Sequence, residues 1–297
     1  SMTRKNIAAA GILAAGTGLG LLLRSEYERD CLVTETVAIR SPKIKKRIRL
    51  AFLTDLHDKE FGKDNRRLVR AIEEARPDAV LIGGDMMVCR GRLGVDVPLK
   101  LIEKLTKKYP VYYGNGNHEN RMARRQDIYG DQYDCYRKSL EEMGVVILDN
   151  KAALIRDDIA VSGVDLEKEY YLKRFFHDPG PLEDGYLTER LGEADKERFQ
   201  ILLLHSPLYF KDAAKWGADL TLSGHFHGGT IRIPLLGGVM TPQYQFFLPC
   251  CAGTFEKDGK YLVVGRGLGT HSINIRLNDK PQVILVELFP AIREAGK

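Results

Sequence analysis

Cysteine is scarce in this chain. Its five cysteines, Cys31, Cys89, Cys135, Cys250 and Cys251, fall at no spacing that holds a metal, which argues against a structural zinc module. Their odd number argues against a disulfide framework, and the adjacent Cys250 and Cys251 are poorly placed to pair with each other. Low-complexity linkers and internal repeats are also missing, so nothing visible divides the 297 residues, a length that suits one large α/β domain or two small ones. No twin-arginine pair precedes the apolar run near the N-terminus, and no lipobox cysteine follows it closely. Charge is balanced to a net +5. Its one basic cluster, Lys43–Arg49, reads as a solvated lead-in to a strand, so no specific nucleic acid partner is expected.

What the chain does have is a series of five short blocks: Asp55-Leu-His57, Gly84-Asp85, Gly116-Asn117-His118-Glu119, His205, and Gly224-His225-Phe226-His227. Together they contain two Asp, one Asn and five of the seven histidines. Each block ends or closely follows a short apolar run: Leu50–Thr54, Ala79–Ile82, Pro110–Tyr113, Ile201–Leu204 and Leu220–Leu222. Such runs bounded by glycine and proline read as buried strands, and helical patterns at Asn65–Ala75 and Pro98–Lys108 alternate with the early ones. In open α/β sheets ligands bind beyond the carboxyl ends of the strands, so the five blocks are expected to meet at one rim. His225 and His227, spaced by two, would share one face of an extended segment.

Taken singly, each block is ordinary turn or helix-cap chemistry. Taken together they supply two adjacent metal ions. A carboxylate can bridge ions about 3.5–4 Å apart, an arrangement suited to phosphoester hydrolysis. The mixed imidazole, amide and carboxylate set suits Mn, Fe, Zn or Co, with Mn favoured, better than Ca.

The ordered series D-x-H, G-D, G-N-H-[DE], H and G-H-x-H resembles the calcineurin-like metallophosphoesterase superfamily. The stretches Leu222–Pro234 and Val264–Gly269 resemble a bacterial, membrane-anchored branch of it. The resemblance implies an α/β fold, a four-layer α/β/β/α sandwich of two mixed sheets, with Tyr261–Val264, Ile273–Leu277 and Val283–Glu287 completing the second. It implies that Asp55, His57 and His227 hold one metal, that Asn117, His205 and His225 hold the other, and that Asp85 bridges them. His118 would bind no metal and would assist the leaving oxygen as a metal-bound hydroxide attacks phosphorus, with Glu119 orienting His118 or capping a helix. Phe226 and Asp58 depart from the usual pattern at the edge of the site. The function implied is phosphoester hydrolysis, as a phosphodiesterase on membrane-associated or extracytoplasmic substrates. The alternatives are a UDP-2,3-diacylglucosamine-type pyrophosphate hydrolase and a metal-binding protein without turnover.

Three further readings complete the expectation. The uncharged run Ile7–Leu23 reads as a signal anchor, giving an anchor at 1–24, a linker and lead-in at 25–45 and a catalytic domain at 46–290, tethered by a single span to the cell membrane and facing away from the cytoplasm. Gly265–Gly269 reads as a loop near the metal rim, followed by a strand, with Arg266 as a candidate phosphate contact. The arginines of Asn120–Tyr136 are candidates for gripping an anionic group.

Overall fold

The computed structural model describes residues 4–89, 94–171, 180–229, 231–233, 237–238, 251–270 and 274–291. Helix α1 (Arg4–Arg29) comes first. Strands β1 (Val33–Ser41), β2 (Ile48–Leu53), β3 (Ala79–Ile82), β4 (Val111–Tyr113) and β5 (Val146–Ile147) follow, with α2 (Arg66–Ala75), α3 (Asp96–Thr106) and α4 (Asn117–Arg124) between them. Then come β6 (Lys151–Arg156), β7 (Ile159–Gly163), β8 (Phe199–Leu203), β9 (Leu220–Ser223), the short β10 (Arg232–Ile233) and β11 (Gly237–Gly238), β12 (Gly253–Lys257), β13 (Lys260–Val264) and β14 (Gln282–Pro290).

Two six-stranded sheets form, in the orders β1-β14-β2-β3-β4-β5 and β12-β13-β9-β8-β7-β6. Both are mixed: β2 to β5 run parallel in one and β7, β8, β9 and β13 in the other, with antiparallel pairings at β14/β2, β12/β13 and β6/β7. Period-two alternation explains the layering. In β2, Leu50 and Phe52 enter the core between the sheets, where they join Ile201, Leu203, Leu222 and Val286. Ala51 and Leu53 face the opposite way, toward Leu68 and Ile72 of α2 and Leu101 of α3. On the far side of the second sheet, Leu202 and Leu204 pack against Leu187, Tyr209 and Ala213. Strands buried on both faces read as unbroken apolar runs, which is why those in the middle of the sheets were visible in sequence. The result is the expected four-layer α/β/β/α sandwich.

Several expectations are corrected. Among the described residues no helix is long and apolar enough to cross a membrane, so the single-pass anchor and the membrane location built on it are withdrawn. The physical reason lies in the run Ile7–Leu23. Seventeen residues reach only about 26 Å against a hydrocarbon core of about 30 Å, and ten of them are Ala, Gly or Thr. The far end of α1 rests on the domain instead, with Ser25 and Glu28 buried.

Residues 33–41, expected to be linker, form β1 and pair in parallel with β14 along its whole length. A chain cut at Ser41 would lose that strand. β14 itself belongs to the first sheet, not the second. Ile273 lies outside the described residues, and 274–277 form no strand beyond one isolated bridge between Leu277 and Ile231. The sequence signal there was an apolar–polar alternation over too few residues to distinguish a strand from an extended segment.

Candidate functional site

The blocks come together at the carboxyl ends of six parallel strands, three from each sheet. Asp55 follows β2, Asp85 follows β3, Asn117 and His118 follow β4, His205 follows β8, and His225 and His227 follow β9. Gly265–Gly269, after β13, closes the rim. The loops are sewn together by backbone hydrogen bonds. The amides of Asp55 and His57 donate to the carbonyls of Gly84 and Asp85 at 3.0 and 3.2 Å, and the Gly224 amide donates to the His205 carbonyl at 3.0 Å.

This convergence bends the backbone sharply. Asp55, His57, Asp85, His225 and His227 all have positive φ, between 46° and 72°. Non-glycine residues seldom adopt that region, and when they do it is often at functional sites held by their surroundings. His225 and His227 therefore do not share one face of an extended segment as expected; each is turned inward by a left-handed residue. The glycines make room. A Cβ on Gly116 would lie 2.2 Å from Asp85 Oδ1, and one on Gly224 would lie 2.1 Å from Asp55 Oδ2.

The side chains form one buried cluster. The two atoms His57 Nε2 and His227 Nε2 are 3.0 Å apart. They stand 3.6 and 3.4 Å from Asp55 Oδ1. His205 Nε2 is 3.2 Å from Asp85 Oδ2, which also lies 3.9 Å from His57 Nε2 and 4.0 Å from His118 Nε2. Three groups have ligand atoms mutually within 4.8 Å: Asp55, His57 and His227; Asp85, His205 and His225; and His57, Asp85 and His118. Asn117 presents a buried Oδ1 that has no hydrogen-bond partner among the described residues.

These residues fit divalent metals. His205 Nδ1 donates to the Gly83 carbonyl at 2.8 Å, and His227 Nδ1 donates to the Gly269 carbonyl at 3.0 Å. Each ring thereby turns its Nε2 toward the carboxylates. Metal-binding histidines show the same division of labour, with the second nitrogen held by a carbonyl or carboxylate. The orphaned Asn117 oxygen and the crowded Nε2 atoms have the same explanation.

Burial opposes the charged forms of Asp55 and Asp85, but the surrounding histidines override it. His227, His57 and His205 hold the Asp55 carboxyl below the usual range; His205, His118 and His57 do the same for Asp85. Burial likewise opposes a charge on His205, yet the Asp85 and Asp55 carboxylates push it up to about 10.

His118 is held differently. Its Nδ1 accepts the Cys89 backbone N–H at 2.8 Å, so a neutral ring carries its hydrogen on Nε2, the atom facing the cluster. Its backbone amide donates to Asp85 Oδ1 at 2.8 Å. Glu119, expected to orient His118 or cap a helix, does cap α4, accepting from the Gly116 amide at 3.0 Å. It also accepts from the amides of Asp85 and Met86 at 2.8 and 3.0 Å and from the Tyr113 hydroxyl at 2.6 Å, so what it fixes is the Asp85 loop.

Other candidates lie elsewhere. Arg266 pairs with Glu35 at 2.6 Å and donates Nε to the Lys280 carbonyl, so it is committed to β1 and not to a substrate. Arg125 pairs with Asp127 on the surface. Asp58 accepts the Val88 amide at 3.0 Å, and burial raises its pKa. His177 and His271 are outside the described residues. Two neighbours had no sequence signal: Tyr171, whose ring lies 5.3 Å from that of His225, and Arg276, fully buried behind the rim.

Residues 48–229 match the family model for the calcineurin-like phosphoesterase. An uncharacterized metallophosphoesterase of Aquifex aeolicus is 27% identical over 89% of this chain and 94% of its own length. The uncharacterized metallophosphoesterase YkuE of Bacillus subtilis is 24% identical over 94% of this chain and 93% of its own length. The phosphodiesterase YaeI of Escherichia coli is 25% identical over 81% of this chain and 82% of its own length.

Proposed function

This chain belongs to the calcineurin-like phosphoesterase family and is a hydrolase of phosphoester bonds; from that premise we propose that it is a phosphodiesterase working with two divalent metals, manganese favoured. The observation that carries the reading is the double set of ligand atoms gathered around Asp85. In this reading Asp55, His57 and His227 hold one ion, Asn117, His205 and His225 hold the second, and Asp85 spans both. The catalytic unit, drawn from sequence as 46–290, extends back to include β1.

Two bound ions would cancel charge on the phosphate oxygens and make a bound water acidic near neutral pH. The protein's own part is to fix the rings and to shape proton delivery. Carbonyls of Gly83 and Gly269 lock His205 and His227 with Nε2 inward. His118 binds the phosphoester through Nε2–H and steadies the leaving oxygen as the ester bond breaks. A metal-binding protein without turnover would have no use for a histidine so placed. The name of the Escherichia coli relative supports a diester preference. The lipid-linked pyrophosphate alternative loses the membrane argument that favoured it.

The test is turnover of bis-p-nitrophenyl phosphate by the purified full chain. Hydrolysis is expected with Mn²⁺ and should disappear after chelation. Run beside it, p-nitrophenyl phosphate and a nucleotide-sugar pyrophosphate should be poorer substrates. A clear preference for either one overturns the diester reading.

A further inference from the structure

A buried arginine that shares the Gly269 carbonyl with His227 lies outside all five motifs. Arg276 is 1% exposed, a position where an unpaired guanidinium would cost several kcal/mol. Among the described residues its one carboxylate partner is Asp279, at 3.2 Å. Its remaining hydrogen bonds go to carbonyls: Asp279 at 2.9 Å, Arg266 at 2.9 Å, Gly267 at 3.3 Å and Gly269 at 2.8 Å. Three of those four carbonyls belong to the single loop after β13.

That loop touches the cluster twice. The Gly269 carbonyl receives His227 Nδ1–H on one side and Arg276 on the other, filling both lone pairs. The amides of Leu268 and Gly269 donate to the Asp55 carbonyl at 3.2 and 2.7 Å. At Gly267, which has φ of 72°, a Cβ would sit 2.8 Å from that of Asp55. Asp279 packs against the residue after that histidine, since a Cβ on Gly228 would lie 1.9 Å from Asp279 Oδ1. The strut is anchored to α1. The Arg276 amide donates to Ser25 Oγ at 2.9 Å, and Arg24 donates to Asn278 Oδ1 at 2.6 Å.

We propose that Arg276 is a positioning residue for one half of the metal centre: by gripping the loop carbonyls it holds Gly269 against His227 and so fixes the ring that binds the ion shared with Asp55 and His57. The proposal rests on the two-metal reading above. Among the described residues no hydrogen bond joins this loop to Asp85 or His205, so the second ion is not held through it. Loss of such an outer contact typically weakens metal binding by about 10–100-fold.

The experiment is Mn²⁺ titration of the full chain by chelator competition, comparing wild type, Arg276→Met, Arg276→Lys and the double variant Arg276→Met/Asp279→Asn, which removes the buried charges together. Wild type should bind two equivalents. Arg276→Met and the double variant should weaken one equivalent by about 10–100-fold and leave the other unchanged. Lysine, a cation without the planar fork, should fall between. Should Arg276→Met fail to fold, the lysine and double variants decide the matter. Two equivalents bound equally tightly by wild type and every folded variant overturn the proposal alone. Equal weakening of both equivalents also overturns it, because that is the mark of general loosening. A wild type that binds no Mn²⁺ overturns the two-metal reading and the proposal with it.

Discussion

Replacing His118 by alanine is expected to lower kcat on bis-p-nitrophenyl phosphate by ~10²–10⁴, the usual loss on removing acid–base assistance, with metal content unchanged. The expectation rests on two contacts. The Cys89 amide occupies Nδ1, so Nε2 is left to face the cluster, 4.0 Å from Asp85 Oδ2. The ring is therefore close to the ligand sets yet oriented as a donor. Elemental analysis of the variant beside its kinetics separates the roles. If His118→Ala loses an equivalent of metal, the residue is a ligand and its assignment to the leaving oxygen is wrong.

The second large effect is expected at Glu119. Its carboxylate is fully buried and accepts four hydrogen bonds, from the amides of Asp85, Met86 and Gly116 and from the Tyr113 hydroxyl. Alanine would leave the three amides unpaired and the Tyr113 hydroxyl with the Tyr136 hydroxyl, 3.1 Å away. Each buried orphan costs about 1–3 kcal/mol, and even with incomplete additivity the fold should lose roughly 4 kcal/mol or more. For a domain of this size that lowers Tm by about 10 °C. Because two of the donors are the Asp85 and Met86 amides, metal binding should weaken as well. Glutamine keeps one acceptor oxygen and should do less harm. A Glu119→Ala protein with wild-type Tm and both metals would show that the Asp85 loop is held by something else.

Much of this was legible in the sequence, and the reasons are local. Leu50, Phe52 and the other residues of the middle strands sit between apolar layers, so their strands read as plain hydrophobic runs. Asp55, Asp85, Asn117, His118, His205, His225 and His227 stood out because each polar residue came at the end of such a run. The edge strand β1 did not read as a strand because Thr34, Glu35 and Thr36 are exposed; nothing in their pattern differs from a polar linker. Apolar character in Ile7–Leu23 suggested a span, but among the described residues no helix is long and apolar enough to cross a membrane. The turned backbone of His225 and His227 was hidden because alternate spacing says nothing of φ. Arg276 was hidden for a different reason. An isolated arginine after an irregular loop is ordinarily a surface residue, and only the fold reveals the three loop carbonyls that take it in.

The central claim is that Asp85 lies between two metals in a single cluster. Crystals of the full chain grown with Mn²⁺, with anomalous differences measured at the manganese edge, test it most directly. Two peaks are predicted. One should be ligated by Asp55, His57 and His227, the other by Asn117, His205 and His225, with the Asp85 carboxylate reaching both. A single peak at full occupancy, or two peaks with Asp85 bound to neither or only one, would contradict the account.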